Sequence, residues 1–182
     1  MDILFATSNA HKVSQVAAIL ERPVRQIDIE LPEVQAVDVR RIIEAKARAA
    51  YDRVGQPVLV EDTSLGFHAW NGLPGALIKW FLSTVDNDGI CKMLYTFDDK
   101  RAVAETCLGY FDSSTFHLFS AEVEGEIVDS PRGSYGFGWD PIFQPKGSDK
   151  TFAEMTAEET EAVNMRKLAA KKLKAYLDTQ NL

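Results

Sequence analysis

Cysteine is nearly missing from this chain: Cys91 and Cys107 are the only two among 182 residues. Their spacing fits neither a metal-ligand pattern nor a disulfide framework, so a reduced, cytoplasmic setting is expected. No stretch approaches the roughly 20 apolar residues that span a bilayer. Ile3-Leu4-Phe5-Ala6 is too short for a secretory leader and has no basic flank. A basic surplus is missing as well, since the net charge is −7. Binders of nucleic-acid polymers carry a basic stripe, so that class of partner is set aside together with membranes. A small polyanion stays open if a few lysines and a metal ion converge locally. His11, His68 and His117 show no paired metal spacing. There is also no Gly-x-Ser-x-Gly elbow, no Walker P-loop and no strand–Gly-x-Gly-x-x-Gly–helix fingerprint.

What is present is an ordinary globular composition, 46% hydrophobic and 26% charged, in a length that suggests one domain or two lobes sharing one sheet. Residues 2–7 predict a strand, and Ser8-Asn9-Ala10 a turn and helix cap. A helix follows from Lys12 to about Leu20, with Val13, Val16, Ala17 and Leu20 at helical spacing. A short strand at Gln26–Glu30 precedes the loop LPEVQ, which holds Glu33. Residues Asp38 to about Val54 predict a second helix, 57–61 a strand, and Ala76 to about Val85 a third helix. RAVAETCLGYF, the turn DSST and FHLFSAEVEGEIV predict a β-meander. Thr156 and Glu159 form a capping box ahead of a last helix that carries Met165, Leu168, Ala169, Leu173, Tyr176 and Leu177 on one face. Strand–helix alternation followed by a meander predicts an α/β fold with a mixed sheet.

Five stretches draw attention for chemistry. VEDTSLGF ends an apolar strand in two adjacent carboxylates, Glu61 and Asp62. Neighbours on a strand face opposite ways, so both reach one site only if the chain turns at Thr63-Ser64-Leu65-Gly66. A hard cation would offset their repulsion; a solvated turn is the plain alternative. In TSNAHK a strand leads into a helix start, where backbone N–H groups and Lys12 offer an anion site, unless Lys12 is simply a surface residue. Lys46 interrupts the apolar stripe Val39, Ile42, Ile43, Ala49, Ala50 and must either snorkel or enter a polar cleft. Lys79 in ALIKWFL poses the same choice. Finally, GSYGFGWDP sets Tyr135, Phe137, Trp139 and Asp140 among glycines. Its aromatic rings suit either nucleobase stacking, worth about 1–3 kcal/mol, or a plug between sheet and helix.

Taken in order, FATSNAHK, LPEVQ, VEDTSLGF, GLPGALIKWFL, GFGWDPIFQP and KTFAEMT resemble the inosine/xanthosine triphosphate pyrophosphatase family over nearly the whole chain. The resemblance implies a Maf/Ham-like fold: a long mixed twisted sheet with flanking helices, forming one domain over residues 1–182 with two lobes around a central cleft, usually as a homodimer. It implies Mg²⁺-dependent hydrolysis of ITP, dITP and XTP to the monophosphate and pyrophosphate. On this likeness Thr7, Ser8, Asn9, Ala10, His11 and Lys12 would hold the triphosphate, with Lys46 and Lys79 reaching toward it. Glu33 would join Glu61 and Asp62 around Mg²⁺. Asp62 would activate water, with Lys12 and Lys46 assisting catalysis, and Thr63 would touch substrate. Phe137, Gly138, Trp139 and Asp140 would form the base pocket, and Arg166 would also bind substrate.

The chain departs from the family near its last helix. A lysine and a Ser-His-Arg triplet are usual there; this chain has Thr160 and Asn164-Met165-Arg166, so only Arg166 matches. Sites that hydrogen-bond a substrate group discriminate by a factor of roughly 10⁴, and the missing lysine and histidine help read the 6-keto edge in the family. Three outcomes follow: retained ITP/XTP preference, a relaxed or shifted base preference, or nucleotide binding with little turnover. A Maf-like hydrolase with a different base profile is a further alternative.

Overall fold

A computed structural model describes residues 2–112, 114–161 and 163–180. The chain is α/β with a mixed sheet. Its elements are β1 (Ile3–Ala6), α1 (Ala10–Leu20), β2 (Val24–Ile27), α2 (Val39–Val54), β3 (Val58–Phe67), β4 (Pro74–Gly75), α3 (Ile78–Thr84), α4 (Asp86–Leu94), β5 (Arg101–Phe111), β6 (Phe116–Ile127), β7 (Phe143–Pro145) and α5 (Met165–Thr179). Short 3₁₀ turns lie at His68–Trp70 and Phe152–Glu154. The sheet runs β2-β1-β3-β5-β6-β7, with β4 added to β3. β1 is parallel to both β2 and β3, while β4 and β7 pair antiparallel to β3 and β6. Among the described residues no helix is long and apolar enough to cross a membrane.

The chain divides into two compact units, Met1–Thr63 with Thr106–Ala121 and Met165–Leu182, and Ser64–Glu105 with Glu122–Asn164. In the first, α1 packs against α5, and Phe5, Val16, Leu20, Ile43, Leu59, Leu108 and Leu173 are buried. Each such large apolar side chain contributes about 1.5–3 kcal/mol relative to exposure. α1 and α2 start close to where the sequence predicts. Asn9 caps α1, its side chain accepting from the amides of His11 and Lys12, and Asp38 caps α2 by accepting from Arg40. In the second unit the core is aromatic: Trp139, Phe143 and Phe152 form one ring cluster, and Phe67 meets Trp70 edge-on.

Several local expectations are corrected. β3 does not stop at residue 61; it continues to Phe67, because Leu65 and Gly66 pair with Gly75 and Pro74 of β4. The presumed turn at Thr63–Gly66 is therefore strand. β2 lies earlier than expected, at 24–27, in parallel register with β1. α4 and β7 carry no clear periodic signal in the sequence, since α4 opens with Asp86-Asn87-Asp88-Gly89, a composition that resembles a loop. Thr156 and Glu159 do exchange capping-box bonds, with Thr156 N–H donating to Glu159 and Glu159 N–H to the Thr156 hydroxyl. They close a turn, however, and α5 begins only at Met165.

Candidate active site

The carboxylates of Glu61 and Asp62 take opposite faces because β3 is extended through both. The Glu61 side chain is completely buried, whereas that of Asp62 is one-third exposed. Burying a lone carboxylate is costly, so the surroundings must compensate. They do so with two cations. Arg166, in the first turn of α5, donates from Nε to Glu61 Oε2 at 2.7 Å and from Nη2 to Oε1 at 3.0 Å. Lys12 of α1 brings its Nζ to 3.1 Å from Oε1. Arg166 Nη1 also donates to Gln15 Oε1 at 2.7 Å, which ties α5 to α1. Burial pushes the Glu61 carboxyl up, but the charges of Lys12 and Arg166 and their hydrogen bonds outweigh it, so its pKa lies below the ordinary value.

This resolves the position of Lys12. The first turn of α1 contains no acidic residue, and the helix dipole disfavours a cation there by about 0.3–1 kcal/mol. The counter-charge comes from β3 instead. Lys46 of α2 also turns toward β3 rather than snorkelling: its Nζ donates to the Glu61 carbonyl at 3.2 Å and lies 3.5 Å from Asp62 Oδ2. Asp62 Oδ1 accepts from the Thr63 amide at 2.9 Å. Lys12, Lys46 and Arg166 thus outnumber the two carboxylates of this strand. The excess positive charge, in a chain of net −7, is what a polyanion requires.

The remaining expected residues fall as follows. In the N-terminal loop the Asn9 amide donates to Thr7 Oγ1 at 3.1 Å, and Asn9 Oδ1 takes the His11 and Lys12 amides. Two of the four leading N–H groups of α1 are therefore capped by protein. Ser8, Ala10 and His11 are exposed. Glu33 lies exposed in the 28–38 segment. It is not gathered with Glu61 and Asp62, for among the described residues no group of three or more His, Cys, Asp or Glu side chains is arranged to hold a metal. Glu61 does not suit a metal as it stands, since both oxygens already serve cations. Asp62, part-exposed, is chemically suited to Mg²⁺, a hard cation that takes one or two carboxylates and completes its shell from water and phosphate oxygens.

In the second unit, Phe137, Gly138, Trp139 and Asp140 share one tight turn but have different fates. The Phe137 ring is 57% exposed, while Trp139 is 8% exposed and belongs to the core, its ring 5.6 Å from that of Phe143. Asp140 accepts the Phe137 amide at Oδ2, 2.8 Å away. Gly136 makes this possible: its φ is +76°, and a Cβ there would collide with the Asp140 carboxylate. Lys79, on exposed α3, places its Nζ 5.2 Å from the Trp80 ring centre. Of the three departures near α5, the Thr160 hydroxyl donates to the Ala157 carbonyl and Met165 is buried. The sequence reading missed Gln15, although its place one turn after Lys12 on α1 was a usable signal.

The sequence profile of the Ham1 family matches residues 3–176. The chain is 45% identical to a Schizosaccharomyces pombe protein named inosine triphosphate pyrophosphatase, over 98% of this chain and 96% of that one. With an Aspergillus fumigatus protein of the same name the identity is 46%, over 98% and 95%. Among solved structures, the Staphylococcus aureus Ham1 protein aligns with a TM-score of 0.86 over 99% of this chain and 100% of that one; at 24% identity this likeness shows the fold alone.

Proposed function

The chain belongs to the Ham1 family, and from that premise we propose that it hydrolyses ITP, dITP and XTP to the nucleoside monophosphate and pyrophosphate. It does so as a single pyrophosphatase domain that serves nucleotide-pool sanitation. The observation that carries this reading is the convergence of Lys12, Lys46 and Arg166 on the Glu61–Asp62 strand. The triphosphate is taken by the 7–12 loop and by Lys12 and Lys46. Lys12 has three donors and can hold Glu61 and a phosphate oxygen together. Glu61 fixes Lys12 and Arg166 as their counter-ion. Asp62, part-exposed and oriented by Lys46 and by the Thr63 amide, receives the proton of the attacking water. That water adds at the α-phosphorus, the α–β anhydride bond breaks, and pyrophosphate leaves; the choice of α over γ comes from the family resemblance. Asp62 would hold Mg²⁺, with Glu33 joining it on the family resemblance alone, and the ion would neutralise charge on the phosphate oxygens.

Phe137 offers the stacking face for the base, beside Gly138 and Asp140, and Lys79 and Thr63 contact substrate. A shifted base preference is a second reading, favoured by the occupied Thr160 hydroxyl and the buried Met165. The family resemblance also supports a cytoplasmic homodimer. A panel of purine and pyrimidine triphosphates with Mg²⁺ tests the activity. Monophosphate and pyrophosphate from ITP are expected; diphosphate and orthophosphate, or no product, would overturn the reading. Relative kcat/KM across the panel decides the base, and sedimentation decides the dimer.

A further inference from the structure

Asn87, in the first turn of α4, reaches across 51 residues of sequence to donate from Nδ2 to the Gly138 carbonyl at 2.9 Å. Its Oδ1 is buried and is without a hydrogen-bond partner in the structure. An unsatisfied buried acceptor costs roughly 1–3 kcal/mol, so the side chain is held where it is against that cost, and what it gains there is the Gly138 carbonyl. The geometry around it is built for one position. Asp86 stands at φ +55°, a left-handed conformation unusual for a non-glycine residue, and breaks the chain between α3 and α4. Its carboxylate accepts the Gly89 amide at 3.1 Å, which fixes the first turn of α4. A Cβ on Gly89 would meet that of Val85 at 2.6 Å. The corner is therefore closely packed, and Asn87 projects from it.

Besides backbone hydrogen bonds such as Asp140 N–H to the Phe137 carbonyl and Ala153 N–H to the Asp140 carbonyl, the turn is fastened by side chains: Asp140 on the Phe137 amide, Trp139 sunk among Phe143 and Phe152, and Asn87 on the Gly138 carbonyl. The first two side chains act on either side of Gly138, whose φ of +64° is a left-handed conformation that glycine adopts without strain. The Phe137 ring, exposed to solvent, has little packing to aim it and takes its direction from this backbone.

We infer that Asn87 is a positioning residue: by holding the Gly138 carbonyl it sets the Phe137 ring for stacking on the nucleobase. The substrate half of this inference rests on the proposed function; the loop half does not. The test compares Asn87→Asp, which is nearly isosteric but faces the carbonyl without a donor, with Asn87→Ala, Phe137→Ala and the double variant Asn87→Asp/Phe137→Ala. Positioning predicts that KM for ITP rises about tenfold in Asn87→Asp and Asn87→Ala, the scale of one lost hydrogen bond, with the change on KM rather than kcat. Inhibition by inorganic tripolyphosphate, which has no base, stays at the wild-type level. Adding Asn87→Asp to Phe137→Ala raises KM no further. Hydrogen exchange at the Phe137 amide becomes about tenfold faster in Asn87→Asp. An unchanged KM, a parallel loss of tripolyphosphate inhibition, multiplicative effects in the double variant, or unchanged exchange each overturns the inference. If the wild type ignores ITP, the functional reading fails on its own, and the exchange at Phe137 still decides whether Asn87 holds the turn.

Discussion

The two units stabilise their key residues by opposite means. In the first, a buried carboxylate is surrounded by arginine, lysine and, through the arginine, glutamine, so every charged group has a partner at hydrogen-bonding distance. In the second, the 133–141 loop is shaped by glycines at positive φ and by single hydrogen bonds, and its most prominent ring faces water. The first arrangement is tightly coupled, because removing Glu61 would leave both Arg166 and Lys12 without their buried counter-ion. The second holds its backbone and leaves the side chain adaptable. On the proposed function, the former would hold the unvarying phosphate chain and the latter a base that varies among substrates.

The sharpest way to break this contrast is Asp62→Asn. The side chain is part-exposed and paired at 3.5 Å, so loss of the general base should lower kcat by about 10²–10⁴-fold. Chemical denaturation should shift by less than about 1 kcal/mol. Retained turnover would remove Asp62 from its role. Next comes Glu61→Gln, which leaves Lys12 and Arg166 without their buried counter-ion. A stability loss of about 3–5 kcal/mol is expected in urea titration, and a loss below 1 kcal/mol would show that the cluster is not structural.

Phe137→Ala sharpens the other side. It should weaken purine triphosphate binding by about 1–3 kcal/mol in calorimetry while leaving thermal stability close to that of the wild type. Trp139→Ala should instead lower stability by about 3–5 kcal/mol. If both behave alike, the division between core ring and stacking ring is wrong.

The smallest expected effect is on pH dependence. The Glu61 carboxyl is lower in the folded chain than in the unfolded one, so its contribution is fully present above the unfolded value of about 4.3 and is lost as pH falls through the folded value. Stability should therefore decline more steeply with acid in the wild type than in Glu61→Gln. Asp112 falls in the same window: burial raises it, but the amides of Ser114 and Thr115 and the neighbouring His117 outweigh this and bring it to about 2. Asp112→Asn provides the comparison, and identical acid slopes in the wild type and Glu61→Gln would exclude Glu61 as a source of the decline.

Much of the fold was legible because its signals are local. The α1 and α2 caps, the apolar stripes of α1 and α2, and the alternation of β5 and β6 follow from side-chain period and capping chemistry alone. Thr63-Ser64-Leu65-Gly66 misled because its composition suits a turn, whereas pairing with β4 keeps it extended. α4 was hidden by Asp86-Asn87-Asp88-Gly89, which closes into a helix only once Asp86 adopts its left-handed conformation. Of the site, Lys12, Lys46 and Asp62 could be singled out from their odd placement on helix and strand. The duty of Glu61 could not, since Arg166 lies 105 residues away.

The sequence by itself determined the periodic elements, their caps, the acidic balance of the chain and the ordered motifs that tie it to its family. Tertiary structure alone decided that Glu61 is sealed against Arg166 and Lys12 while Asp62 faces solvent, and that Trp139 packs inside while Phe137 stays out. The physical reason is that burial and ion pairing are properties of neighbours in space. Adjacent residues of identical chemistry acquire opposite roles once a strand turns them to opposite faces.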